Sequence, residues 1–135
     1  MGQFEIRTAL RKHIVALDPT FLTSRENAKF VPDATKPYQV LTVQPRAVSN
    51  PSFGDGFYRE NGSFRINLCY PINAGEGAAI KKAEEIKNHF KRGTTITEAG
   101  VAVRIDRTPS IGVGYIQGDR YVIPVRIEWY ADLCA

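Results

Sequence analysis

Long apolar runs are missing from this chain of 135 residues, and cysteine and histidine are rare, at two each. No stretch approaches the roughly 20 apolar residues that span a bilayer. The longest near the start, Ile14 to Leu17, is closed off by His13 and Asp18. Met1 to Glu5 has neither the basic start nor the apolar centre of a signal peptide, so a cytoplasmic product is expected. Gly2 is not followed by Ser or Thr at position 6, which removes the myristoylation reading. Cys69 and Cys134 form no Cys-x-x-Cys pair, and no paired histidine spacing accompanies them, so a zinc site has no ligand set and reduced thiols are the default. Low-complexity segments and internal repeats are absent as well. What remains is the profile of one folded domain large enough to bury a core without staples.

The net charge of +4 is modest and dispersed. Arg11-Lys12-His13, Lys81-Lys82 and Lys91-Arg92 are small clusters that read as solvated helix faces or partners of a helix dipole. No recognition helix, zinc finger or RNP pattern appears, so readout of a base sequence is not expected.

The most ordered pattern runs from Tyr58 to Thr94. Phe64, Ile66, Leu68 and Tyr70 alternate with Arg65, Asn67 and Cys69, the period of a strand with one apolar face, and Pro71 ends it. Gly75-Glu76-Gly77 opens a helix whose Ala79, Ile80, Ala83, Ile86 and Phe90 recur at helical spacing. Lys91 and Arg92 suit its negative end, and Gly93 is placed for a left-handed C′ position. A first helix is expected over Gln3–Leu17, with Ile6, Leu10, Ile14 and Leu17 as its stripe and Asp18-Pro19 as its stop.

The rest reads as strands and loops. Lys29-Phe30-Val31 is a candidate short strand before Pro32-Asp33, and Tyr38 to Val43 is a strand with apolar residues on both faces. Ala47 to Gly56 is the longest loop, and Phe53, Phe57 and Tyr58 in or beside it are candidate contact residues. Thr94 to Asp106 reads as a hairpin turning at Glu98-Ala99-Gly100, followed by a loop from Arg107 to Gly114. Arg120 to Tyr130 alternates strongly, but its Pro124 predicts an edge strand or a bulge. Two helices at irregular positions among mostly antiparallel strands predict an α+β domain over residues 1–135. In it, a sheet of about five to six strands carries two helices packed on one face. The odd residues of the last strand and the even residues of the 64–70 strand share the core.

Familiar chemistry is hard to place. The glycines at 75 and 77 lack the third glycine or alanine of a dinucleotide fingerprint, since Ile80 stands there. A Gly-Lys-Ser/Thr triplet is missing too, and Glu76 puts negative charge where an anion would bind. Cys69 has no spacing that joins it to His13 or His89 as nucleophile and base, and Glu84, Glu85, Asp106 and Glu128 fit a solvated surface. No catalytic, cofactor-binding or metal residue is nominated.

Tyr58-Arg59, Gly62, Phe64, Ile66, Tyr70-Pro71, Gly75, Ala83, Ile86, His89-Phe90 and Gly93-Thr94, in that order, resemble the small tail terminator or tail-completion proteins of long-tailed phages. The similarity continues through Gly100-Val101-Ala102-Val103, Pro109, Tyr121, Pro124 and Val125, and the first helix fits in position, so it spans most of the chain. The resemblance implies an α+β fold that assembles into a ring, usually a hexamer. Such a ring caps the tail tube, stops its polymerisation and offers a joint to the head connector. It implies no enzyme activity and no cofactor. Its partners are other copies of the chain, the major tail-tube protein and the connector or neck protein, with transient contact to passing DNA and none to membrane. Its place is the host cytoplasm during assembly and then the virion tail.

Loop composition, not the resemblance, nominates Phe53, Phe57, Tyr58, Ile111 and Tyr115 for protomer or tube contacts. Charge alone nominates Lys81, Lys82, Arg104 and Arg126 for a lumen through which DNA passes. The alternative readings are a head–tail connector, neck or stopper subunit, and a small DNA-binding module.

Overall fold

The computed structural model describes residues 2–25, 30–31, 35–48, 57–72 and 75–134. Helix α1 spans Gln3–Leu17 and buries Ile6, Ala9, Leu10 and Ile14. Its first turn is held by the Glu5 carboxylate, which accepts the Gly2 N–H at 2.8 Å. Asp18 takes extended geometry at its end, as the residue before a proline should. Both boundaries are the ones the sequence predicts.

Three strands follow: β1 (Leu22–Ser24), β2 (Tyr38–Pro45) and β3 (Phe57–Pro71). After helix α2 (Gly77–His89) come β4 (Thr95–Glu98), β5 (Val101–Ile105), β6 (Ser110–Ile111), β7 (Tyr115–Gln117) and β8 (Arg120–Cys134). They build one curled sheet in the order β1-β2-β3-β8-β5-β4, with β6 and β7 also paired to β8. Among the described residues only β1–β2 pairs in parallel. The spine is the antiparallel pair β3–β8, each strand 15 residues long. Phe64, Ile66 and Leu68 lie opposite Ile127, Val125 and Ile123, and all six join the core. Ile6, Leu10 and Ile14 of α1 and Ala79, Ala83, Ile86 and Phe90 beside α2 close the same cluster. Burying each large apolar side chain here contributes about 1.5–3 kcal/mol.

Gly62 shows how tightly the spine is crossed. A Cβ there would lie 2.3 Å from the Gln44 carbonyl oxygen, 2.9 Å from Pro45 Cα and 3.0 Å from the buried Trp129 ring. Only hydrogen fits between the β2 backbone and that indole.

Several expectations need correction. Pro124 lies not on an edge strand but in β8, the most heavily paired strand of the sheet. In an antiparallel strand the N–H and C=O of one residue point to the same neighbour. The Gly112 N–H donates to the Pro124 carbonyl at 2.8 Å, so Pro124 turns its backbone away from β3. On that side β8 meets β7 at residues 120–122 and β6 at 125–126, and Pro124 lies beside Gly112 just past the end of β6. The missing donor therefore faces the connection that leaves β6 and costs the β3–β8 ladder nothing.

The 107–114 segment is not all loop, since it contains β6. Phe30 and Val31 are not in a strand; the short strand is β1, paired to β2. Phe57 and Tyr58, which follow the 47–56 loop, open β3, and Tyr58 packs half-buried on the core. Gly93 does have positive φ, at 87°, but Phe90 is the C-cap of α2. The Gly93 N–H donates to the Ile105 carbonyl at 3.0 Å and so extends the β4–β5 ladder.

Lys82 is not on a solvated helix face. It is buried, its Nζ 3.2 Å from Asp18 Oδ2, 3.8 Å from Glu85 Oε2 and 4.5 Å from the centre of the Phe21 ring. The lysine ties α2 to the exit of α1.

Candidate assembly surfaces

The two ends of the β3–β8 spine carry different apolar features. At the Pro71–Arg120 end, Ile72, Val113, Tyr115 and Ile116 are all exposed, Val113 by 88% and Ile116 by 65%. Beside them is a cleft of about 220 Å³ lined by Pro71, Ile72, Gly75, Glu76, Ile116 and Tyr121. The loop can cross here because Gly114 has no side chain: a Cβ would lie 2.1 Å from the Tyr121 hydroxyl oxygen. At the other end α1 begins against Tyr58 and Leu133, with Gln3 Nε2 donating to Glu60 at 2.5 Å. There Phe4 projects from the first turn, 77% exposed. Single exposed apolar residues are ordinary, but Ile72 and Ile116 meet across one cleft, and exposed apolar groups gathered in this way mark an interaction surface.

Among the described residues, the strand positions on the sheet face opposite the core cluster are largely polar and carry arginine but no lysine. Arg104 of β5 is paired with Tyr130, and Arg126 of β8 with both Ser110 and Arg65. Arg59 forks onto Asp132 through Nε at 2.7 Å and a second nitrogen at 3.1 Å, and its guanidinium stacks 4.5 Å from the Tyr130 ring centre. The Asp132 hydrogen bond pushes the Arg59 pKa up further. Glu128 is shared, contacting Arg46 and, at 3.1 Å, Arg126 Nε.

A profile of phage tail terminator proteins matches residues 5–129 of this sequence. The chain belongs to the phage tail terminator family. It is thus a structural component of a phage tail, and its α+β sheet architecture agrees with that assignment. One solved structure resembles this terminator over 100% of its chain and 98% of the other, with a TM-score of 0.79 and 27% sequence identity. No curated protein sequence matches it.

The terminator places its nominated contact residues unequally. Tyr115 is exposed at the apolar end. Ile111 pairs with Val125 and packs against the core, as does Tyr58, so neither is free for a partner in full. Phe57 opens β3, and Phe53 lies outside the described residues. Sequence reasoning missed Phe4, Ile72, Val113 and Ile116. Phe4 is off the α1 stripe by its position, a signal that was present. The others are single apolar residues in short connections and gain meaning only when the fold gathers them.

The nominated cations do not form one surface. Arg104 and Arg126 lie on the polar sheet face, whereas Lys81 and Lys82 lie on α2, whose buried residues join the core. Lys82 is excluded from any open lumen by its burial.

Cys69 sits far from nucleophilic chemistry. It borders a cleft of about 410 Å³ with Tyr38, Asn67, Asp119 and Arg120, and its thiol pKa is pushed up by burial. A raised thiol is a poor thiolate source. The histidines stand between α1 and α2 instead, so the structure does not assemble a Cys–His pair. Among the described residues no group of His, Cys, Asp or Glu is placed to hold a metal, and no helix is long and apolar enough to cross a membrane.

Proposed function

We propose that this terminator closes into a ring, a hexamer on the family pattern, that caps the tail tube, halts its polymerisation and joins it to the head connector. Ring closure requires a heterologous contact, in which two different surfaces of one chain meet. The observation that carries this reading is the pair of unlike apolar features at opposite ends of the β3–β8 spine. Phe4 is the knob, and the cleft lined by Ile72 and Ile116 is the hole. Phe53 and Phe57 remain candidates for the tube contact, and Arg104 and Arg126 for the lumen wall.

The test uses two variants, Phe4→Ser and Ile116→Ser. Each alone should be monomeric by native mass measurement. Mixed, they should form a dimer and nothing larger, because one knob and one hole remain. A mixture that stays monomeric, or single variants that assemble normally, contradicts the contact. Assembly onto the connector but never onto tail tubes would favour a neck or stopper subunit.

A further inference from the structure

We infer that the polar sheet face is a binding surface for the phosphate backbone of duplex DNA, centred on Arg65 and Arg126. These two residues are direct partners across β3 and β8. Because Pro124 turns its backbone away from β3, the Asn67–Pro124 pair makes no ladder bonds, and by alternation neither does Arg65–Arg126, two residues on. Such pairs bring the two Cα atoms to about 4.5 Å, and like charges directly opposite are destabilising. Arg126 shares Glu128 with Arg46, one carboxylate between two guanidiniums, and among the described residues no carboxylate pairs with Arg65. Asp132 is taken by Arg59, and Asp106 lies towards that same end of the face. The middle of the sheet therefore keeps uncompensated positive charge at the cost of stability, an arrangement that an anion would relieve.

The chemistry favours phosphate over an acidic protein. A protein interface keeps charge at its rim and apolar groups at its centre. Here Arg65 and Arg126 face each other at the centre, with the polar Thr42 and Ser110 as their outer cross-strand partners. Guanidinium also matches phosphate oxygens in a fork that lysine lacks. The contacts would hold the duplex without reading its bases.

The assignment borrows the ring only to explain how DNA reaches this face, and its test needs no ring. Binding of the isolated chain to mixed-sequence duplex is followed by fluorescence anisotropy against salt. If Arg65, Arg104 and Arg126 each neutralise a phosphate, affinity should fall about 40-fold between about 50 and 200 mM salt. The double variant Arg65→Gln, Arg126→Gln should lower the salt slope by about 2 and weaken binding at low salt. Its melting temperature should not fall, since the opposed charges are gone. Lys81→Gln, on α2, should bind as the wild type does. No salt-dependent binding, or a double variant with unchanged affinity, overturns the proposal, as does binding to tail tubes through these arginines with no affinity for DNA. Rings that ignore DNA would sink this inference alone, and a DNA-binding monomer would sink the ring alone.

Discussion

His13 and His89 lie ring on ring, their centroids 3.9 Å apart and their planes within 14°. The bonding is reciprocal: His13 Nε2 reaches the His89 carbonyl at 2.9 Å and His89 Nε2 reaches the His13 carbonyl at 2.7 Å. A carbonyl only accepts, so each Nε2 carries the proton. Phe90 meets the His13 ring edge-on at 4.7 Å. The pair clasps α1 to α2 above the core.

This clasp is pH-sensitive in a defined direction. The His13 pKa is held below its ordinary 6.5, first by burial and further by His89, against the opposing pull of the His89 carbonyl. A base with a lowered native pKa binds more protons when unfolded. Stability is therefore full above about 6.5 and falls as pH drops from there toward the native value. The charges nearby are Lys12, already paired to Glu98 at 2.9 Å, and Glu85 one turn before His89. Urea midpoints at about pH 7.5 and 5.5 should separate for the wild type and converge for His13→Gln. Parallel pH profiles would contradict the clasp.

Lys82 gives a second contrast. Removing Asp18 leaves a buried ammonium with only the longer Glu85 contact, so Asp18→Ala should cost about 1–2 kcal/mol. Lys82→Met keeps the packing on Phe21 and removes the charge, and should fall within about 1 kcal/mol of the wild type. Chemical denaturation of both variants decides. Equal losses would mean the ion pair is not what matters.

Gly62→Ala forces a methyl group against the Gln44 carbonyl and Trp129. Backbone cannot give way as a side chain can, so we expect a loss of about 3 kcal/mol or failure to fold. A melting temperature within a degree or so of the wild type would show that the β2–β3 crossing is looser than described.

The β4–β5 turn should be improvable. Ala99 and Gly100 have φ of 50° and 83°, the signature of a two-residue hairpin turn that prefers glycine or asparagine. Ala99→Gly should stabilise by about 1 kcal/mol, seen as a rise in melting temperature of about 3 °C. A fall would place the strain elsewhere.

Much of this fold was legible because the core is written in periodicities. The α1 stripe, the even residues of β3 and the odd residues of β8 each repeat with the spacing of their element, and the glycine–helix order around Gly75 carried the family resemblance. Pairing partners are not written that way. Pro124 reads as an edge signal because local sequence cannot show that β6 and β7 part company beside it. Lys82 reads as solvated because its acceptor, Asp18, is far away in the chain. The site was least legible: the apolar end and the arginine face are each assembled from several strands, and only the register reveals them.

The most direct measurement is native mass determination with negative-stain imaging, of the chain alone and mixed with tail tubes. The account predicts closed rings seated on tube ends, lost in both Phe4→Ser and Ile116→Ser. A chain that stays monomeric and leaves tube ends bare would contradict it.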